Sequence, residues 1–151
     1  MSYRLHWTEY LKNYTQNLKA EVENAVLRGK NFERMDEFKK LKLLREAFLQ
    51  RVPQNPGSKE YQLGNSLGQG HKNWRRVKFV EPLKRYRLFF AYSSAESSVC
   101  YVWINSNRNL RSAAHHSDCY AAFSRLLDSG KILFPYPDCQ LEKLDESTLS
   151  T

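Results

Sequence analysis

The residues best suited to chemistry in this chain are basic and lie close together. Lys72, Arg75, Arg76, Lys78, Lys84, Arg85 and Arg87 all fall between His71 and Arg87, against Glu81 alone. Seven cations against one anion put +6 of the formal net charge of +8 into this window, and the rest of the chain is close to neutral. Cations scattered over a surface serve solubility, and a solvated face normally mixes both signs. Clustered on adjacent strands, they make a platform for an anionic ligand, most often a phosphate backbone.

Other chemistries find little support. The sequence holds no G-x-S-x-G, no H-E-x-x-H and no plausible Ser-His-Asp set. Gly64, Gly68 and Gly70 are not read as a phosphate loop, because no strand precedes them and no Lys-Ser or Lys-Thr follows; they are expected to let the chain turn into a strand. Cys100, Cys119 and Cys139 show no C-x-x-C spacing and read as reduced, structural thiols. His71 and the adjacent pair His115-His116 lack a carboxylate or thiol to complete a shell, so no metal and no cofactor are expected.

At 151 residues, with 41% hydrophobic and 26% charged residues, the chain reads as a single domain, residues 1–151. Its basic balance makes nucleic acid the first class of ligand to consider, then an anionic membrane, then an acidic protein. No apolar run approaches the roughly 20 residues that span a bilayer, and the start MSYRLHWTEY has no hydrophobic signal core. A cytoplasmic protein with no membrane partner is the expectation.

The elements that must position the cations follow from periodicity. Tyr3 to Trp7 reads as a short strand, and Thr8 can cap a first helix whose Leu11, Leu18, Val22 and Ala25 recur at helical spacing until Gly29. Phe32, Met35, Phe38, Leu41, Leu44, Phe48 and Val52 mark a second helix that Pro53 should end, giving an antiparallel helical hairpin. After a loop from Pro53 to Gly70 come three strand candidates, Trp74 to Val80, Arg85 to Tyr92 and Val99 to Asn105, with the short connections of an antiparallel meander. Ser117 as cap, Asp118 in the first turn, Phe123, Leu126 and Leu127 as stripe and Gly130 as stop mark a last helix, followed by a tail at about 131–151.

Alternate strand residues face opposite ways. Val77 and Phe79, then Tyr86, Leu88, Phe90 and Tyr92, then Cys100, Val102 and Ile104 should share an apolar face that takes the hairpin. Arg76, Lys78, Arg85, Arg87 and Phe89 should line the other, with Tyr101, Trp103 and Asn105. Trp103 and Tyr101 on that face call either for burial under the last helix or for use as stacking surfaces for bases. His71, Lys72 and His115 sit on loops that can border the same face.

With these residues in place, the chain resembles the RelE/ParE superfamily of bacterial toxins and, more narrowly, the YhaV toxin family. The matching signals are Asn55-Pro56-x-Ser58, Gly64-x-Ser66-Leu67-Gly68, Trp74-x-Arg76-Val77-Lys78-Phe79, Arg85-Tyr86-Arg87-Leu88-Phe89-Phe90-x-Tyr92-Ser93, Trp103-x-Asn105 leading to Leu110-Arg111, and Asp118-x-Tyr120-x-x-Phe123. The turn from Glu81 to Lys84 is longer than in the family, and His115-His116 stands where the family tends to carry lysines. The resemblance implies an α+β, RelE-like fold with a short N-terminal strand, a two-helix hairpin packed on an antiparallel sheet, and a C-terminal helix. It also implies a type II toxin that cleaves RNA, free or on the ribosome, and a PrlF-like antitoxin of the AbrB type as partner.

In that light the cations acquire roles. Arg85 and Arg87 are expected to clamp the scissile phosphate, and Lys78 to act as base or charge stabiliser beside Arg76. Arg111 is expected to reach the leaving side, with Tyr120 or His115 delivering a proton. The expected site is thus Lys78, Arg85, Arg87 and Arg111 for catalysis without metal, with Arg76, His71, Lys72, Trp103, Asn105, His115 and Tyr120 binding substrate. Two other readings stay open: a nucleic-acid binder that does no chemistry, and a ParE-like poison of a topoisomerase.

Overall fold

The structure is a computed structural model, and it describes residues 2–63, 74–112, 118–129 and 142–144. Strand β1 (Arg4–Trp7) leads into helix α1 (Glu9–Leu27). As expected, Thr8 caps α1: its hydroxyl accepts from Leu11 N–H at 3.3 Å, and it donates to Val102 O at 2.7 Å, which ties the helix start to the sheet. Gly29, at φ +68°, supplies the left-handed residue just past the helix end.

The second helix departs from its expected bounds at both ends. Phe32–Arg34 form a 3-10 turn, and α2 runs only from Asp36 to Glu46, with Asp36 and Glu37 complementing its N-terminal dipole. Pro53 does not stop the chain at Val52. The helix instead widens into a π turn over Ala47–Arg51 and closes with a short α3 (Val52–Gln54). In the π register the missing Pro53 N–H would have served Phe48 O. The buried Tyr101 hydroxyl donates to that carbonyl at 2.8 Å and satisfies it.

After a 3-10 turn (Lys59–Tyr61) come β2 (Arg75–Lys78), β3 (Arg87–Ser93), β4 (Ser98–Ile104), helix α4 (Cys119–Asp128) and β5 (Glu142–Lys143). The antiparallel meander β2-β3-β4 is present as read. The sheet is larger and mixed, however, in the order β2-β3-β4-β1-β5, because β1 joins β4 in parallel and β5 pairs with β1. Within the tail, Leu144 N–H donates to Leu5 O at 2.9 Å, so this piece of it is packed edge structure.

Both faces of the sheet are apolar at their centres, which corrects the expectation of one apolar and one cationic face. The helical hairpin covers Trp7, Val77, Leu88, Phe90, Tyr101 and Ile104. Helix α4 covers Trp74, Phe89, Ala91, Cys100, Val102 and Trp103, with Phe123 stacked on Phe89 at 4.2 Å and on Trp103 at 5.5 Å. The parity of β2 and β3 holds. That of β4 breaks at a bulge, where Phe90 pairs with Tyr101 and Phe89 with Trp103, leaving Val102 as the extra residue. Tyr101 therefore faces the hairpin and Cys100 faces α4, opposite to the alternation read from sequence, while Ile104 and Trp103 regain it. Among the described residues no helix is long and apolar enough to cross a membrane.

Candidate active site

The cations collect at one end of the α4 face. Antiparallel pairing of β2 and β3 sets Lys78 opposite Arg87 and Arg76 opposite Phe89, so all four share the side on which α4 lies. The first turn of α4 brings Tyr120 against this end, its ring edge-on to Phe89 with centroids 5.7 Å apart.

Tyr120 is the hub. Its hydroxyl oxygen accepts from Arg76 Nε at 3.0 Å and from Arg87 Nε at 3.1 Å. A phenol oxygen has one O–H to donate, and two charged donors on its lone pairs leave that proton for a third partner. The two guanidinium groups are held in turn by backbone carbonyls: Arg87 Nη1 donates to Lys84 O and Tyr86 O, each at 2.9 Å, and Arg76 Nη1 to Glu60 O at 2.8 Å and Gln62 O at 2.9 Å. Arg87 is 8% exposed, and its Nη2 has no hydrogen-bond partner among the described residues.

Arg111 closes the other side, its guanidinium 4.8 Å over the Tyr120 ring centroid. Its backbone N–H donates to Arg85 O at 2.7 Å and its carbonyl accepts from Arg85 Nε at 3.1 Å, so Arg85 and Arg111 are laced together although separate in sequence. Arg85 is exposed beside the cluster. Lys78 is exposed as well, and the Arg76 guanidinium beside it, helped by partial burial and by Arg87 and Arg111, pulls its pKa below the ordinary lysine value.

Two predicted substrate contacts turn out to be internal. Trp103 is 7% exposed beneath α4, the burial alternative of the two readings. Asn105 is fully buried: its Oδ1 accepts from Arg87 N–H at 2.7 Å, and its Nδ2 donates to Arg85 O at 3.2 Å and Asn109 O at 2.9 Å. An amide with both ends engaged braces the start of β3. Asp118, expected in the first turn of α4, is its cap, accepting from Tyr120 N–H at 3.0 Å. Its Oδ1 also takes Arg111 Nη1 at 2.7 Å, a contact the sequence reading missed although an acid two residues before Tyr120 was its signal. His71, Lys72, His115 and Ser117 lie outside the described residues, as do Gly130 and Cys139.

Cys100 and Cys119 are buried, and burial pushes the Cys119 thiol up to about 12, which removes it as a nucleophile at neutral pH. The groups brought together at the cluster are guanidinium, ammonium and phenol. Such a set stabilises developing negative charge and exchanges protons with an oxygen.

Comparison with known proteins agrees with this chemistry. A family described as "toxin with endonuclease activity, of toxin-antitoxin system" matches residues 5–144. The chain is 36% identical over 138 residues to the "Ribonuclease toxin YhaV" of Escherichia coli (strain K12), covering 89% of this chain and 84% of that protein. It is also 36% identical over 135 residues to the "Toxin YhaV" of Escherichia coli O6:H1, covering 87% of this chain and 82% of the relative. No solved structure matches.

Proposed function

The chain belongs to the YhaV family, toxins with endonuclease activity that act in toxin–antitoxin systems, and on that premise we propose that its substrate is RNA and that it cuts without a metal ion. The observation that carries this reading is the Tyr120 hydroxyl, which accepts from both Arg76 Nε and Arg87 Nε while Lys78 stands opposite Arg87.

RNA carries its own nucleophile. The 2′-oxygen attacks phosphorus, the bond from phosphorus to the 5′-oxygen breaks, and the products are a 2′,3′-cyclic phosphate and a 5′-hydroxyl. A base must take the 2′-proton, donors must meet the charge on the equatorial oxygens, and an acid must protonate the departing 5′-oxygen. Lys78 takes the first role, since a lowered pKa gives it a larger neutral fraction at a given pH. Arg87, through Nη2, and Arg85 take the second, with Arg111 at the leaving side. Tyr120 delivers the proton, its O–H polarised by two cations. Arg76 acts through Tyr120 and Lys78. His71, Lys72 and His115 extend the grip on the RNA, and Trp103 and Asn105 shape the site from beneath.

The same reading makes the chain one RelE-like toxin domain acting in the cytoplasm on messenger RNA, free or ribosome-bound, and held in check by a PrlF-like antitoxin of the AbrB type. Purified protein incubated with RNA in EDTA is expected to yield 2′,3′-cyclic phosphate and 5′-hydroxyl ends. Cleavage that needs a divalent ion refutes the metal-free route, and salt-sensitive binding with intact RNA refutes cleavage altogether.

A further inference from the structure

Asp118 bonds to one side chain of the proposed site, Arg111, and to the backbone of another of its residues, Tyr120. Its Oδ1 accepts from Arg111 Nη1 at 2.7 Å and from Ser112 N–H at 2.6 Å, and its Oδ2 accepts from Tyr120 N–H at 3.0 Å. The residue is 5% exposed. We propose that Asp118 is the positioning residue of the cleavage site: it holds the Arg111 guanidinium in a fixed relation to the Tyr120 hydroxyl without contacting substrate. This assignment rests on the ribonuclease reading above.

A helix cap alone does not account for the arrangement. Capping needs one oxygen, and Oδ2 provides it by taking the Tyr120 N–H. The second oxygen is engaged by Arg111 and by the backbone of Ser112, and so joins the segment after β4 to the first turn of α4. Arginine is long and rotamer-rich, and without a partner its guanidinium would sample many positions. Bound to Asp118, it lies over the Tyr120 ring, 4.8 Å from its centroid.

The bond is also built to persist. Burial by itself would raise the pKa of Asp118, yet the donors from Ser112, Arg111 and Tyr120 together outweigh it and hold the carboxyl below its usual range. Arg111 is raised, chiefly by its hydrogen bond to Asp118. Exposed ion pairs contribute little, but a buried carboxylate with three donors has a defined geometry. A single side chain therefore sets two of the groups that act on the leaving oxygen.

Asp118→Ser separates the two roles, because serine is as good a cap as aspartate but has no second oxygen for Arg111. With short RNA substrates in single-turnover assays, Asp118→Ser is expected to lower kcat by about 10²-fold with KM little changed, the loss a displaced catalytic group produces. The melting temperature should fall by no more than a few degrees, since the cap to Tyr120 N–H is kept and only the donors of Arg111 and Ser112 lose their acceptor. In an Arg111→Ala background the same substitution should add almost nothing, since both changes remove one interaction. If the serine variant does not fold, Asp118→Asn is read by the same cycle. Unchanged kcat, or a loss that adds in full to that of Arg111→Ala, overturns the assignment. A wild-type chain that leaves RNA intact overturns instead the reading on which it rests.

Discussion

Arg87 and Tyr120 meet at 3.1 Å through Nε and the phenol oxygen, joining β3 to α4 across 33 positions of sequence. The contact orders both partners. Arg87 is aimed by its bonds to Lys84 O and Tyr86 O, and Tyr120 by the cap at Asp118.

Removing Arg87 should therefore affect the chemical step first. Arg87→Ala is expected to lower cleavage by on the order of 10²-fold or more if its Nη2 meets the transition state. Arg87→Lys, which keeps the charge and loses the planar fork, should recover only part of it. Single-turnover rates in EDTA, with thermal melts as control for folding, provide the check; an alanine variant as fast as wild type would remove Arg87 from the site.

Tyr120→Phe keeps the ring that packs on Phe89 and deletes the oxygen that two cations share. Leaving those donors unsatisfied should cost about 1–3 kcal/mol of stability. A larger effect is expected on kcat, about 10²-fold or more if the hydroxyl is the general acid. RNA carrying a bridging 5′-sulfur, whose leaving group needs no proton, should restore most of the rate. A variant equally slow on both substrates would assign Tyr120 to binding alone.

The pH profile should report Lys78. An ammonium beside a guanidinium is destabilised, so the proton leaves at lower pH than from an ordinary lysine. Activity that needs the neutral amine then rises with pH through that lowered pKa. Arg76→Gln removes the leading cause and should move the rising limb to higher pH, whereas Lys78→Arg should abolish the limb. A profile unmoved by Arg76→Gln would count against Lys78 as base.

Asn105→Ala strips acceptor and donor from a buried position that braces Arg87 N–H, Arg85 O and Asn109 O. The expected loss is about 1–3 kcal/mol in a urea melt, from the groups left unsatisfied. Cleavage should fall in the same variant because Arg85 and Arg87 both hang on that brace. Affinity for RNA measured with the site blocked by a 2′-deoxy substitution at the cleaved position should fall less than the rate does.

Much of this arrangement was legible because it is local. The cap at Thr8, the stripe of α1 and the parity of β2 and β3 are written in neighbours two to four residues apart, and the face that Lys78 shares with Arg87 follows from that parity. What escaped depends on partners distant in sequence. Nothing in four residues of β1 says that they run parallel to β4, and nothing beside Pro53 announces that Tyr101 will serve the carbonyl it leaves bare. The burial of Trp103 and Asn105 depends on where α4 and the turn to Asn109 settle, and the tie from Asp118 to Arg111 needs both segments in place.

The extra residue at Val102 gives β4 two independent phases. Residues before it are counted from the β1 pairing and from the Tyr101 anchor under the hairpin; residues after it are counted from Asn105 and the cations. Deleting Val102 would return the strand to strict alternation and leave Asn105 on the side of Arg87, at the loss of one apolar residue packed under α4. The bulge thus seats both Val102 and Trp103 beneath α4 without moving Asn105 out of step with Arg85 and Arg87, so apolar packing is added on that face while the cations keep their alignment.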